Sequence, residues 1–148
     1  MTRGQIAIIT TQWRKPTILT SVEFNGDMYM PTKQWRGHGQ KVINALRKVN
    51  DVANYHLAVA KFNNDNHHYN DCSSLTHIQS AECLDFTEDY FDYWFSDYVY
   101  IKNITPETVR IVTNVTDEEG RDIGKKDVDL ATNQIAVLCF GRLVRITQ

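Results

Sequence analysis

The chain lacks any apolar run approaching the roughly 20 residues that a membrane-crossing helix needs. Its opening, Met1-Thr2-Arg3-Gly4-Gln5, leads only into the short stretch Ile6 to Ile9, too short and too poorly ended for a secretory signal. Cysteine is scarce as well. Cys72, Cys83 and Cys139 are an odd set without framework spacing, which argues against a disulfide scaffold. These absences make a cytoplasmic protein in a reducing compartment the expectation, with no membrane partner. Without export, the sequons at Asn103 and Asn114 carry no message. There is no solenoid repeat and no low-complexity segment. The chain has no Gly-x-Ser-x-Gly elbow, no His-Glu-x-x-His pair and no kinase signature, so the common motif-bearing enzyme classes are set aside.

What is present bounds the architecture. At 148 residues, one domain spanning 1–148 is the default. With 42% hydrophobic and 23% charged residues, the composition is that of a globular chain. Its net charge of −2 hides an uneven distribution. Residues 1–62 hold nine Lys/Arg against three Asp/Glu, a balance of +6. Residues 63–100 hold eight Asp/Glu and no Lys or Arg, a balance of −8. Either these two regions attract each other in the fold, or one of them faces a charged partner.

Local patterning predicts strands, then helices, then strands. The expected first strand is Gln5 to Thr11, followed by a turn at Trp13-Arg14-Lys15-Pro16 and a strand from Thr17 to Phe24. Asn25-Gly26 is the strongest hairpin signal, since both residues tolerate positive φ, and Asp27 to Met30 would return from it. Gly37-His38-Gly39 opens a helix whose Val42, Ile43, Leu46 and Val49 share one face. Asn50-Asp51 ends it and caps a second helix bearing Val52, Tyr55, Val59 and Phe62. Asn63 to Cys72 reads as a polar loop, and Thr87 to Phe91 as a turn or short helix. Further strands are expected from Tyr93 or Asp97 to Lys102, over Thr108 to Val115 pairing back, and over Gln134 to Ile146 with a bulge at Gly141. Turns fall at Asn103 to Glu107 and Asp117 to Gly120. The order predicts an α+β fold: a mainly antiparallel sheet with two helices packed on one face.

Three constellations can carry chemistry. The triplet Gln-Trp-Arg occurs twice, ending in Trp13-Arg14 and in Trp35-Arg36. Its second copy leads through Gly37, His38 and Gly39 to Lys41, at a helix start whose free N–H groups and partial positive charge favour phosphate. Arg36 and Lys41 add charge, and Trp13 or Trp35 can stack on a base. The bland reading makes the tryptophans core residues and the glycines a turn. A second cluster, His67, His68, Asp71, Cys72, His77 and Cys83, has zinc-type side chains within seventeen residues. It fits no standard finger spacing, so a solvated loop is the stronger reading and no cofactor is expected. A hydrolytic version would use His38 or His77 as base with Asp27 or Asp71 beside it, or Cys72 or Cys139 as nucleophile. Cys139, in an apolar strand, reads instead as core. The third is the acidic, aromatic stretch from Asp85 to Tyr98, whose Asp89, Asp92, Trp94 and Tyr98 can form a protein-binding face. Its bland reading is a set of core aromatics with a solvated acidic side.

The opening Thr2-Arg3-Gly4 with its Ile-rich strand, the Asp27-Met28-Tyr29-Met30 segment of the hairpin, the Gly37-His38-Gly39 turn and the later Asp97-Tyr98-Val99-Tyr100-Ile101 resemble a family of small, uncharacterised phage-encoded proteins. Met28 and Met30 stand where that family has Gly and Pro. The resemblance covers about the first third of the chain and carries no activity. It implies a viral accessory protein acting in the host cytoplasm, one that sequesters a nucleotide-type ligand or inhibits a host defence protein. Its expected partner is a phosphate-bearing small molecule or a host protein, with homo-oligomerisation left open. A small metal-dependent phosphodiesterase or related hydrolase is the alternative.

Overall fold

The structure is a computed structural model that describes residues 4–12, 15–23, 39–58, 73–77, 83–85 and 98–148, with side-chain surroundings for 6–11, 39–58 and 98–148. Three strands form its centre: β1 (Gly4–Gln12), β5 (Tyr98–Asn103) and β8 (Ile135–Cys139). β1 runs parallel to β5, and β5 antiparallel to β8. Each is apolar at successive positions rather than at every second one, the pattern of strands covered on both faces. Accordingly Ile6, Ile8, Tyr100, Ile135 and Val137 are buried on one face, and Ala7, Ile9, Val99, Ile101, Ala136 and Leu138 on the other.

The first face is covered by α1 (Gly39–Leu46) and by a second helical segment, α2, over residues 52–58. Val42, Ile43, Leu46 and Val49 are all buried there with Tyr55, as their spacing predicts. Val49 lies beyond the last turn of α1. The cap of α2 is the expected one: the Asp51 carboxylate accepts the Asn54 amide at 2.7 Å. Val52 was expected on the inner face but, at the first position of the helix, is 36% exposed, while Tyr55 is fully buried and Ala58 packs against the same cluster. Val59 and Phe62 lie outside the described residues.

The second face meets β6 (Val109–Thr116) and β7 (Asp122–Leu130), whose Val109, Ile111, Val128 and Leu130 complete its cluster. The remaining strands are β2 (Lys15–Glu23), β3 (Ser73–His77), β4 (Cys83–Asp85) and β9 (Arg142–Thr147). The path is β3-β2-β1-β5-β8-β9-β6-β4, with β7 joined to the side of β6. β6 pairs with β9 at the single register point Asn114↔Arg142, so the sheet curls and lays β6 and β7 over its own centre.

The class is therefore α+β, but the sheet is mixed rather than mainly antiparallel. β1 with β5, β4 with β6 and β6 with β9 are parallel. Thr108 to Val115 does form a strand, but it pairs with β7 instead of returning along β5. β7 escaped the sequence because DIGKKDVDL is polar and seven of its nine residues are exposed. Gln134 to Ile146 is two strands rather than one: Phe140 and Gly141, with φ of 50° and 78°, make the left-handed two-residue turn of a hairpin. The first turn is tighter than expected, since Lys15 and Pro16 already belong to β2. Cys139, expected in the core, is only half-buried at the end of β8. β3 and β4 were not anticipated. The expected Asp27 to Met30 strand and the Asn63 to Cys72 loop lie outside the described residues.

Candidate functional site

Helix α1 begins at Gly39, which is buried, and Lys41 in its first turn is exposed. That turn contains no acidic residue, so no carboxylate of its own offsets the positive helix end. A second cation comes from the far end of the chain. The Val137↔Arg145 register puts Arg145 on the helix-covered face of β9, and its Nη1 donates to Gln40 Oε1 at 3.3 Å. Gln40 in turn donates from Nε2 to Asn44 Oδ1 at 3.1 Å, one turn further along. The start of α1 therefore has Lys41 and Arg145 at its side and a glycine at its first position. The first turn of a helix beside a guanidinium is an arrangement that receives anions.

Of the residues expected at this site, Gly39 and Lys41 are found there. Trp13, Arg14, Trp35, Arg36, Gly37 and His38 lie outside the described residues. Arg145 was missed by the sequence reading. It stands 105 positions from Gln40 and looks like any cation in an alternating strand; only strand register reveals its neighbour.

The opposite end of α1 carries a different device. Lys102 follows Tyr98 and Tyr100 on the helix-covered face of β5 and is 1% exposed. Its Nζ donates to Leu46 O at 2.7 Å and to Val49 O at 2.6 Å. The last turn of α1 has no basic residue of its own, so this buried ammonium supplies both the cap and the cation that a helix C-terminus favours. Burial pushes its pKa below the ordinary lysine value. The group is held behind the helix, and both of its bonds go to carbonyls at the helix end.

Of the expected partner-binding face, Asp89, Asp92 and Trp94 lie outside the described residues. Tyr98 opens β5 half-buried, stacked on Tyr100 with ring centroids 6.3 Å apart, and packs against the helix-side cluster. Of the candidate metal ligands, His67, His68, Asp71 and Cys72 lie outside the described residues, and His77 is described only as the last position of β3. Among the described residues no three metal-ligating side chains come together.

Asn103, the sequon residue that opens the expected turn, proves fully buried. Its Nδ2 donates to Glu107 O at 2.8 Å and Leu130 O at 2.9 Å, and its Oδ1 accepts the Thr105 amide at 2.9 Å. Its own backbone N–H and C=O bond to Gln134 and Asn133. All of these bonds tie the β5–β6 and β7–β8 connections together, a structural function that leaves nothing of Asn103 exposed for modification.

The chain matches no family model, no curated protein and no solved structure.

Proposed function

We propose that this chain acts by binding, as a viral accessory protein whose ligand carries phosphate and rests at the start of α1. The viral part of the reading comes from the resemblance of its opening segments to small phage proteins. The binding part is carried by one observation: Arg145 reaches the first turn of a helix that has Lys41 but no acid there. A phosphate resting at that positive helix end would be within reach of both the Arg145 guanidinium and the Lys41 ammonium. Trp35 and Arg36, four and three residues ahead of Gly39, are the groups that would add stacking and a second guanidinium.

Thermal unfolding against a panel of nucleotides, cyclic dinucleotides, ADP-ribose derivatives and divalent metals tests this. A ligand at about a hundred times its Kd adds roughly 2.7 kcal/mol, a rise of several degrees for a chain of this length. Arg145→Ala, Arg36→Ala and Trp35→Ala should each abolish the rise while the ligand-free protein still unfolds cooperatively. No response to any phosphate-bearing ligand would sink the reading. A response to zinc or manganese alone would favour the metal-dependent hydrolase in its place.

A further inference from the structure

The β8–β9 turn is built from an unsuitable residue. A two-residue hairpin turn with both φ positive is normally occupied by Asn-Gly, Asp-Gly or Gly-Gly, because a bulky side chain is strained in the left-handed region. Gly141 meets this need, but position 140 is phenylalanine, at φ 50°. Its ring is also 71% exposed, so the isolated protein bears backbone strain without the benefit of burial. The turn is held in place: Asn114 donates its backbone N–H to Gly141 O at 2.8 Å, and its Nδ2 lies 3.4 Å from Phe140 O. Strain retained at a fixed, exposed aromatic residue points to a contact made outside the chain.

The same end of β6 carries two more irregularities with exposed apolar side chains. Thr116 pairs with Asp122 and Val115 with Gly124, leaving Ile123 as the extra residue of a bulge, 63% exposed. On β9, Leu143 and Arg145 pair with Leu138 and Val137, leaving Val144 as the extra residue, 48% exposed. Charges of both signs accompany them. Arg142 donates to the Thr116 hydroxyl at 3.2 Å and meets no carboxylate among the described residues. Glu118 and Asp122, exposed in and beside the β6–β7 turn, form no ion pair among the described residues.

We propose that this end of the molecule is a self-association surface, with Phe140 as its anchor and a second copy of the chain as its occupant. The charge pattern selects that occupant. A contact about a two-fold axis brings a patch against itself, so it must hold complementary groups of its own. Here Arg142 of one copy can meet Asp122 or Glu118 of the other while the apolar side chains meet at the centre. A patch of a single sign would repel its copy and select an oppositely charged partner instead.

Sedimentation velocity over a concentration series, with the wild-type chain, Phe140→Asn and Ile123→Ser, tests the proposal. The wild type should pass from monomer to dimer as concentration rises. Phe140→Asn should weaken dimerisation roughly tenfold or more, as loss of an anchor does. It should also raise the unfolding midpoint of the dilute monomer, since asparagine suits the left-handed turn. Ile123→Ser should weaken dimerisation as well. A wild type that stays monomeric throughout the series, or a Phe140→Asn variant that dimerises as the wild type does, would overturn it.

Discussion

Replacing Lys102 by methionine separates two opposed effects at the end of α1. Methionine keeps a straight, flexible chain of similar length but cannot donate. The change removes bonds of 2.7 Å to Leu46 O and 2.6 Å to Val49 O. Leu46 O retains the Val49 amide at 3.0 Å, so the heavier loss falls on Val49 O. Leaving one buried carbonyl without its donor costs about 1–3 kcal/mol. Against this, the variant no longer buries an ammonium, a term that also reaches several kcal/mol and that the depressed pKa registers. Because both acceptors sit at a helix C-terminus, where a cation is favoured, the bonds should win narrowly, by about 1 kcal/mol. For a chain of this length that lowers the unfolding midpoint by roughly 2–4 °C. Circular dichroism melts, with urea titrations as a second measure, would read it. A pH series adds an independent arm. With the folded pKa below the unfolded one, the unfolded state binds more protons between the two values. The Lys102 contribution to stability should therefore rise with pH from the lowered folded value up to the ordinary lysine value, and the wild-type minus Lys102→Met difference should grow over that window. A methionine variant as stable as the wild type at neutral pH would refute the reasoning, showing that desolvation outweighs the cap.

Two other positions are open to test. Asn103→Ala takes from Leu130 O and the Thr105 amide the partner they have in its side chain, while Glu107 O keeps the Thr105 hydroxyl at 2.8 Å, and should cost about 3 kcal/mol, read by chemical denaturation; a loss below about 1 kcal/mol would mean that water or a rearranged loop replaces the side chain. The Asp117 carboxylate is held below its usual pKa first by the Arg121 amide, then by the Glu119 amide, the Arg121 guanidinium and the Gly120 amide, with desolvation opposing them. Its contribution is thus present above the unfolded carboxylate value and lost as pH falls through the lower folded one. Amide exchange in the 117–121 turn should accelerate over that acidic window in the wild type and be fast already at neutral pH in Asp117→Asn; equal rates for the two proteins would exclude the carboxylate as the organiser of the turn.

Helical periodicity and capping chemistry were legible because they act between residues three or four positions apart. Val42, Ile43, Leu46 and Val49 pointed to their common buried face, and Asp51 to its cap. The run Ile6 to Ile9 was legible as a strand for a similar reason, although its burial on two faces was not. Strands that depend on partners rather than on their own composition were hidden. β7 is held by β6 despite its charged sequence, and the two-residue turn at Phe140 and Gly141 breaks the rule that a bulky residue avoids left-handed backbone. The glycine-containing helix start and the acidic, aromatic segment were visible as candidates, and Gly39, Lys41 and Tyr98 from them lie in described elements.

By itself, the sequence determined the mixture of strand and helix, the inner face of α1, the cap of α2 and the turn at Asp117, since each rests on bonds or contacts within a few residues. Only the tertiary structure decided the parallel pairing of β1 with β5, the curl that lays β6 and β7 over the central strands, the guanidinium of Arg145 at one end of α1 and the ammonium of Lys102 at the other. Those depend on register between segments far apart in the chain, and a side chain's composition and spacing do not say which distant strand will become its neighbour.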